Sequence, residues 1–151
     1  MVIAIGSDHA GFSLKQAVLE ALFDLGYEYH DFGCDSAESV DYPDIAHIVA
    51  EAVTSGRFER AILVCGTGAG MAVTANKTAG IRAVVASDTF TAHQAREHLD
   101  AQVLCLGERI IGPGLARDIV NTYLTASFEG GRHARRISKI EAVASASPPA
   151  T

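Results

Sequence analysis

Short apolar runs separated by segments of helical period set the strongest limit on what this chain can fold into. The runs fall at residues 2–5, 61–64, 81–86 and 103–106, with a shorter strand expected around Tyr29 to Phe32. Between the first two, Leu14, Val18, Leu22 and Leu25 recur at helical spacing, and after Pro43 so do Ile45, Ile48, Val49, Ala52 and Val53. A third helix is expected from Gly70 to about Thr78. A fourth, capped by Asp88 or Thr89, is expected to reach His98, and a fifth carries Leu115, Ile119, Tyr123 and Leu124. Alternation of this kind favours an α/β fold. Strands that are apolar nearly throughout are buried on both faces, which favours a parallel doubly wound sheet with its ligand site beyond the carboxyl ends of the strands. Gly130-Gly131 sets off a last helix, from Arg132 to about Val143, with no strand after it. That helix is expected to project from the sheet and pack on a partner subunit. Residues 1–143 read as a single domain, and 144–151, small residues with two prolines, as a disordered tail.

The stretch Ala61 to Gly70 places Cys65 at the end of a buried strand, ahead of a glycine loop that opens a helix. Backbone N–H groups at Gly66, Gly68 and Gly70 can converge on an anionic oxygen there, and the positive end of the following helix favours a thiolate. For an isolated Cys-Gly pair, a small core residue beside a tight turn is the simpler reading. Its surroundings favour chemistry. Asp8 and His9 follow the first strand, Asp41 and Tyr42 the second, Thr67 the third, Asp88 the fourth and Arg109 the fifth, so these groups should converge on one rim. Arg132 and Arg136, four apart on one helical face, have the spacing for two guanidinium groups to hold one phosphate.

Other classes of function fit less well. Eighteen acidic against twelve basic residues give a net charge of -6, which argues against non-specific nucleic-acid binding. No apolar run approaches the roughly 20 residues of a membrane span, and the chain opens without a basic leader, so it reads as soluble and cytoplasmic. The three cysteines, Cys34, Cys65 and Cys105, form no Cys-x-x-Cys pair and indicate neither a disulfide framework nor a zinc site. His93 and His98 are five apart, which does not put two imidazoles on one helical face as metal ligation from a helix requires.

Eight short strings occur in order: Gly6-Ser7-Asp8-His9-Ala10-Gly11-Phe12, Asp41-Tyr42-Pro43, Cys65-Gly66-Thr67-Gly68, Ala75-Asn76-Lys77, Gly80-Ile81-Arg82-Ala83, Arg96-Glu97-His98, Gly107-Glu108-Arg109 and Gly130-Gly131-Arg132-His133. Together, to about Glu141, they make the chain resemble the ribose-5-phosphate isomerase B family, which also includes galactose-6-phosphate isomerase subunits. The resemblance implies a five-stranded parallel sheet in a three-layer αβα sandwich, and dimers or tetramers that share their sites at the subunit interface. It implies a sugar-phosphate substrate and neither a metal nor an organic cofactor.

In what it further implies, Cys65 is the base of an aldose–ketose isomerisation through an enediolate. The loop Gly66, Thr67, Gly68, Ala69 and Gly70 supplies N–H groups to that enediolate. His98 opens the sugar ring with Asp8 and Thr67 as helpers, and Tyr42 lies against the substrate. His9, Arg109, Arg132 and Arg136 hold the phosphate, the last two from the neighbouring subunit. One position departs from the family pattern: Leu99 follows His98 where an asparagine that bonds the sugar is expected. Ribose 5-phosphate leads as substrate, with other tetrose, pentose or hexose phosphates open. A nucleotide-binding module is the main reading from another class, but Gly66-x-Gly68-x-Gly70 is neither a dinucleotide fingerprint nor a P-loop. A sugar-phosphate binding paralogue without turnover is a third.

Overall fold

The computed structural model describes residues 1–145, so the tail expected at 144–151 lies, from 146 onward, outside the described residues. Five strands, β1 (Val2–Ser7), β2 (Glu28–Asp31), β3 (Arg60–Cys65), β4 (Ala83–Val85) and β5 (Val103–Gly107), form one sheet in the order β2-β1-β3-β5-β4. Every pairing is parallel. The helices are α1 (Phe12–Asp24), α2 (Tyr42–Thr54), α3 (Ala69–Ala75), α4 (Thr89–Glu97), α5 (Pro113–Thr125) and α6 (Arg132–Ser145). None is long and apolar enough to cross a membrane.

The side-chain alternation of the central strands divides the core into two layers. Ala4, Leu63, Val103 and Cys105 face α2 and α3, where they pack with Val49, Val53 and Met71. Ile3, Ile5, Ile62, Val64, Leu104 and Leu106 face the other way, onto Leu14, Val18, Leu22, Ile119 and Tyr123 of α1 and α5. This is the expected three-layer α/β arrangement, with its apolar strands β1, β3 and β5 in the middle. The second strand differs from that expectation. All four residues of β2 are exposed, because it lies at the sheet edge, where charged residues discourage pairing with another chain.

Two helices end elsewhere than their periodicity suggests. α3 stops at Ala75, three residues short of the expected Thr78, as Asn76 turns its side-chain amide to pair with both backbone groups of Ala83 (2.9 and 2.8 Å). α6 continues to Ser145. It is anchored to the sheet domain by Arg82, whose guanidinium bonds Glu141 (2.7 Å) and the carbonyls of Leu99 (2.7 Å) and Asp100 (3.0 Å). Its Ile140 and Val143 remain exposed.

Candidate active site

The chain leaves β1 for β2 on one side and leaves β3 for β4, beyond β5, on the other, so the crevice between the carboxyl ends of β1 and β3 is where connections diverge. Asp8 ends one wall of it and Cys65 the other, tied by Asp8 N–H donating to the Val64 carbonyl at 3.2 Å. Gly11 lets the turn after β1 approach this closely, since a Cβ there would stand 2.5 Å from the Val64 carbonyl oxygen. A cleft of about 340 Å³ opens above, lined by Asp8, His9, Ala10, Tyr42, Cys65, Gly66, Thr67, Gly70 and Arg109. That lies near the lower end of the roughly 300–1,000 Å³ of small-ligand pockets. A depression of about 550 Å³ on the outer side of α1, around Gln16, Phe23 and Tyr29, is larger but lies away from the strand ends.

Cys65 is 4% exposed at the floor of the cleft, and its Sγ accepts the N–H of Gly68 at 3.1 Å. Gly68 can turn that N–H inward because it adopts φ +81, a conformation other residues resist. Its N–H therefore serves the sulfur, whereas the sequence suggested it for a substrate oxygen. Thr67 is exposed and its hydroxyl accepts from Ala69 N–H at 3.2 Å. The loop is clamped from β5's end, with Glu108 N–H donating to the Cys65 carbonyl (2.9 Å) and Arg109 N–H to that of Gly66 (3.0 Å). The Arg109 guanidinium lies over Gly66, and the Tyr42 ring lies so close to Gly70 that a Cβ there would meet it at 2.7 Å.

Asp8 is buried at 5% exposure, and its carboxylate accepts from Gly11 N–H at 3.0 Å, holding the turn that carries His9. His9 Nδ1 lies 3.2 Å from both the N–H and the carbonyl of Val40. Either tautomer ties the ring to the Val40 backbone, with Nδ1 accepting from the N–H or donating to the carbonyl. Burial pushes the Cys105 thiol well above its ordinary value, and a charge on Cys65 would push it further. It stays a neutral core group.

The expected single rim is only partly present. Asp88 follows β4, the strand farthest from β1, and serves instead as the exposed N-cap of α4, its carboxylate bonding Thr91 N–H (2.6 Å) and Oγ1 (2.8 Å). Those bonds hold it below its usual range. His98, Leu99, Arg132 and Arg136 do not line the Cys65 cleft of their own chain. His98 ends α4 and stacks on His133 of α6, ring centroids 4.0 Å apart. Leu99 lines a separate pocket with Ile81, Val84 and Ile140 under α6. Arg132 and Arg136 lie exposed on α6. The candidate groups thus form two sets, one around Cys65 and one where α4 meets α6.

Sequence reasoning named His133 only within the string Gly130-Gly131-Arg132-His133 and gave it no role of its own. It passed over Lys15, which is fully buried, with its ammonium between the two Asp31 carboxylate oxygens (2.9 Å each) and the Cys34 carbonyl (2.6 Å). A lysine in an amphipathic helix gives no hint of this from its spacing.

A family model for ribose/galactose isomerases matches residues 3–140. The chain is 47% identical over 141 residues to ribose-5-phosphate isomerase B of Escherichia coli, covering 93% of this chain and 95% of that one. It is 45% identical over 139 residues to D-erythrulose-4-phosphate isomerase of Pectobacterium atrosepticum, covering 91% of each. The structure of ribose-5-phosphate isomerase B of Clostridium thermocellum superposes with a TM-score of 0.93 at 52% identity, covering 95% of this chain and 97% of that one. With a matching sheet, a matching length and a cysteine cleft at the strand ends, this chain belongs to the ribose/galactose isomerase family.

Proposed function

We propose that the protein is an aldose–ketose isomerase that interconverts ribose 5-phosphate and ribulose 5-phosphate through an enediolate. The observation that carries the reading is the buried Cys65 Sγ, held by an N–H at 3.1 Å on the floor of a cleft whose rim offers His9 and Arg109. Starting from the aldose, Cys65 as thiolate takes the C2 proton while the C1 carbonyl oxygen becomes the enediolate oxygen. The thiol then returns a proton to C1. The O2 hydroxyl gives up its proton as C2 becomes the carbonyl, and O1 ends protonated, so no net proton is gained or lost. A base in reach and fixed donors at the developing charge are what this step requires.

The phosphate belongs with His9 and Arg109 at the open end of the cleft. Arg132 and Arg136 would complete its cage, and His98 would protonate and deprotonate the ring oxygen and anomeric hydroxyl during ring opening. These three groups, set apart from the Cys65 cleft in their own chain, suit a site completed by a second subunit, so a homodimer or homotetramer is part of the reading. A four-carbon phosphate is the second reading, favoured by the relative named as a D-erythrulose-4-phosphate isomerase and by Leu99. Such a sugar has no free hydroxyl placed to close a ring, so it makes no use of ring opening.

Turnover by the purified protein of tetrose, pentose and hexose phosphates, with Cys65→Ala beside it, tests both. Ribose 5-phosphate should be the best substrate, and Cys65→Ala should lower kcat by about 10²-fold to 10⁴-fold. A fully active Cys65→Ala variant would end the mechanism, and turnover restricted to tetrose phosphates would establish the second reading.

A further inference from the structure

His133 is a titratable group that the mechanism above does not use, and it is 3% exposed. Its ring lies face to face with that of His98, centroids 4.0 Å apart and planes within 10°. The chain reaches this position through a tight return. Glu129 N–H donates to the Glu97 carbonyl at 3.0 Å, Gly130 and Gly131 both take positive φ (71 and 57), and His133 N–H donates to the Gly130 carbonyl at 3.1 Å. Substitution of either glycine by an ordinary L-residue would strain this return.

Charged groups enclose the pair on both sides. Glu97 on α4 has a carboxylate oxygen 3.7 Å from His98 Nε2 and 3.3 Å from His93 Nδ1, and it accepts from Gln94 at 3.0 Å. Glu129 has its carboxylate 3.2 Å from His133 Nε2, without hydrogen-bond alignment. His98, Glu129 and His133 have donor atoms within 4.8 Å of one another, which raises the question of a metal ion. The stacking argues against one. An imidazole directs its lone pair within the ring plane, and two parallel planes 4.0 Å apart cannot both contain the same ion.

Resting on the isomerase reading, we propose that His133 is a positioning residue for His98. Buried and fixed by the return through Gly130 and Gly131, it sets the plane of the half-exposed His98 ring, so that ring opening meets a preset imidazole. His133 itself touches no substrate.

The two chemical steps can be read separately. Ribulose 5-phosphate cannot close a ring, because its C5 hydroxyl carries the phosphate. Exchange of its C1 hydrogen with solvent deuterium therefore reports the Cys65 step alone, whereas conversion of ribose 5-phosphate, which enters as a closed furanose, also needs ring opening. In D₂O, His133→Ala should lower conversion by about 10-fold to 100-fold, below the full contribution of an acid–base group, and leave C1 exchange within about twofold of the parent. His133→Phe, which restores an aromatic plane without nitrogens, should recover most of the conversion. Exchange and conversion falling together, neither falling, or a loss that His133→Phe does not repair would each overturn the role. Thermal unfolding of both variants separates a collapsed helix from a freed ring. Should His133→Ala misfold, near-parent conversion by His133→Phe supports the role and lost conversion by a folded His133→Phe overturns it. A parent protein that shows neither exchange nor conversion would refute the isomerase reading itself.

Discussion

Gly107 ends β5 directly opposite Cys65 in the sheet register, and it bears no side chain for a reason that can be measured. A Cβ at that position would stand 2.7 Å from the Cα, carbonyl carbon and carbonyl oxygen of Thr67. An ordinary contact begins near 3.4 Å, so Gly107→Ala requires the Thr67 backbone to withdraw by about 0.7 Å. That segment cannot move alone. The Cys65 and Gly66 carbonyls are held by Glu108 and Arg109 N–H groups on one side, and Gly68 N–H is held by Cys65 Sγ on the other. Overpacking of this kind costs about 1–3 kcal/mol, and loss of glycine's freedom in the unfolded chain offsets it by about 0.4–1 kcal/mol. The net loss in equilibrium urea unfolding should be about 1–2 kcal/mol. Activity should suffer more, because a displacement of about 1 Å at a reacting centre can cost about 10²-fold in rate; a loss of about 10-fold to 10²-fold in kcat is expected. Gly114→Ala in the first turn of α5, where a Cβ meets nothing within 4 Å, serves as the control and should leave activity unchanged. Parent-like stability and kcat in Gly107→Ala would refute the claim that the approach of β5 to the Thr67 backbone sets the position of the sulfur.

Two further outcomes follow from buried polar groups. Lys15→Met should destabilise the fold by about 3 kcal/mol in urea unfolding, the low end for breaking a buried ion pair, because the Asp31 side chain is 28% exposed and keeps some access to water. A loss below about 1 kcal/mol would mean that the pair only breaks even against an apolar side chain. Burial raises both Cys105 and Tyr123 above their ordinary values of 9.0 and 10.0. Below about pH 9 both groups are protonated in the folded and unfolded chains alike; above it the unfolded chain sheds protons that the folded one keeps, so stability falls as pH rises. The slope should reach about 1.4 kcal/mol per pH unit for each group. Urea midpoints measured between about pH 8 and about pH 11 should show the decline, and Tyr123→Phe should remove the part that begins near 10. A flat profile would contradict the burial argument.

The sheet was legible because apolar strands must be covered on both faces, and the runs ending at Ile5, Val64 and Leu106 leave no other arrangement. Half the site was legible for the same reason: residues just past parallel strands meet at one sheet edge, and Asp8, Cys65, Thr67 and Arg109 do so. Asp88 shows the limit of that rule, since strand order, which local spacing does not encode, sends β4 to the far edge. His133 and Lys15 show a second limit, because their partners lie 35 and 16 residues away in sequence and are met only when turns and helices pack. Sequence by itself determined the layers, the cleft's position and several of the residues that line it, for these follow from periodicity and from backbone conformation at glycines. Tertiary structure alone decided which groups stand apart from that cleft, Asp88 at the far edge and His98 with His133, because strand order and helix docking arise from contacts between segments that no local pattern specifies.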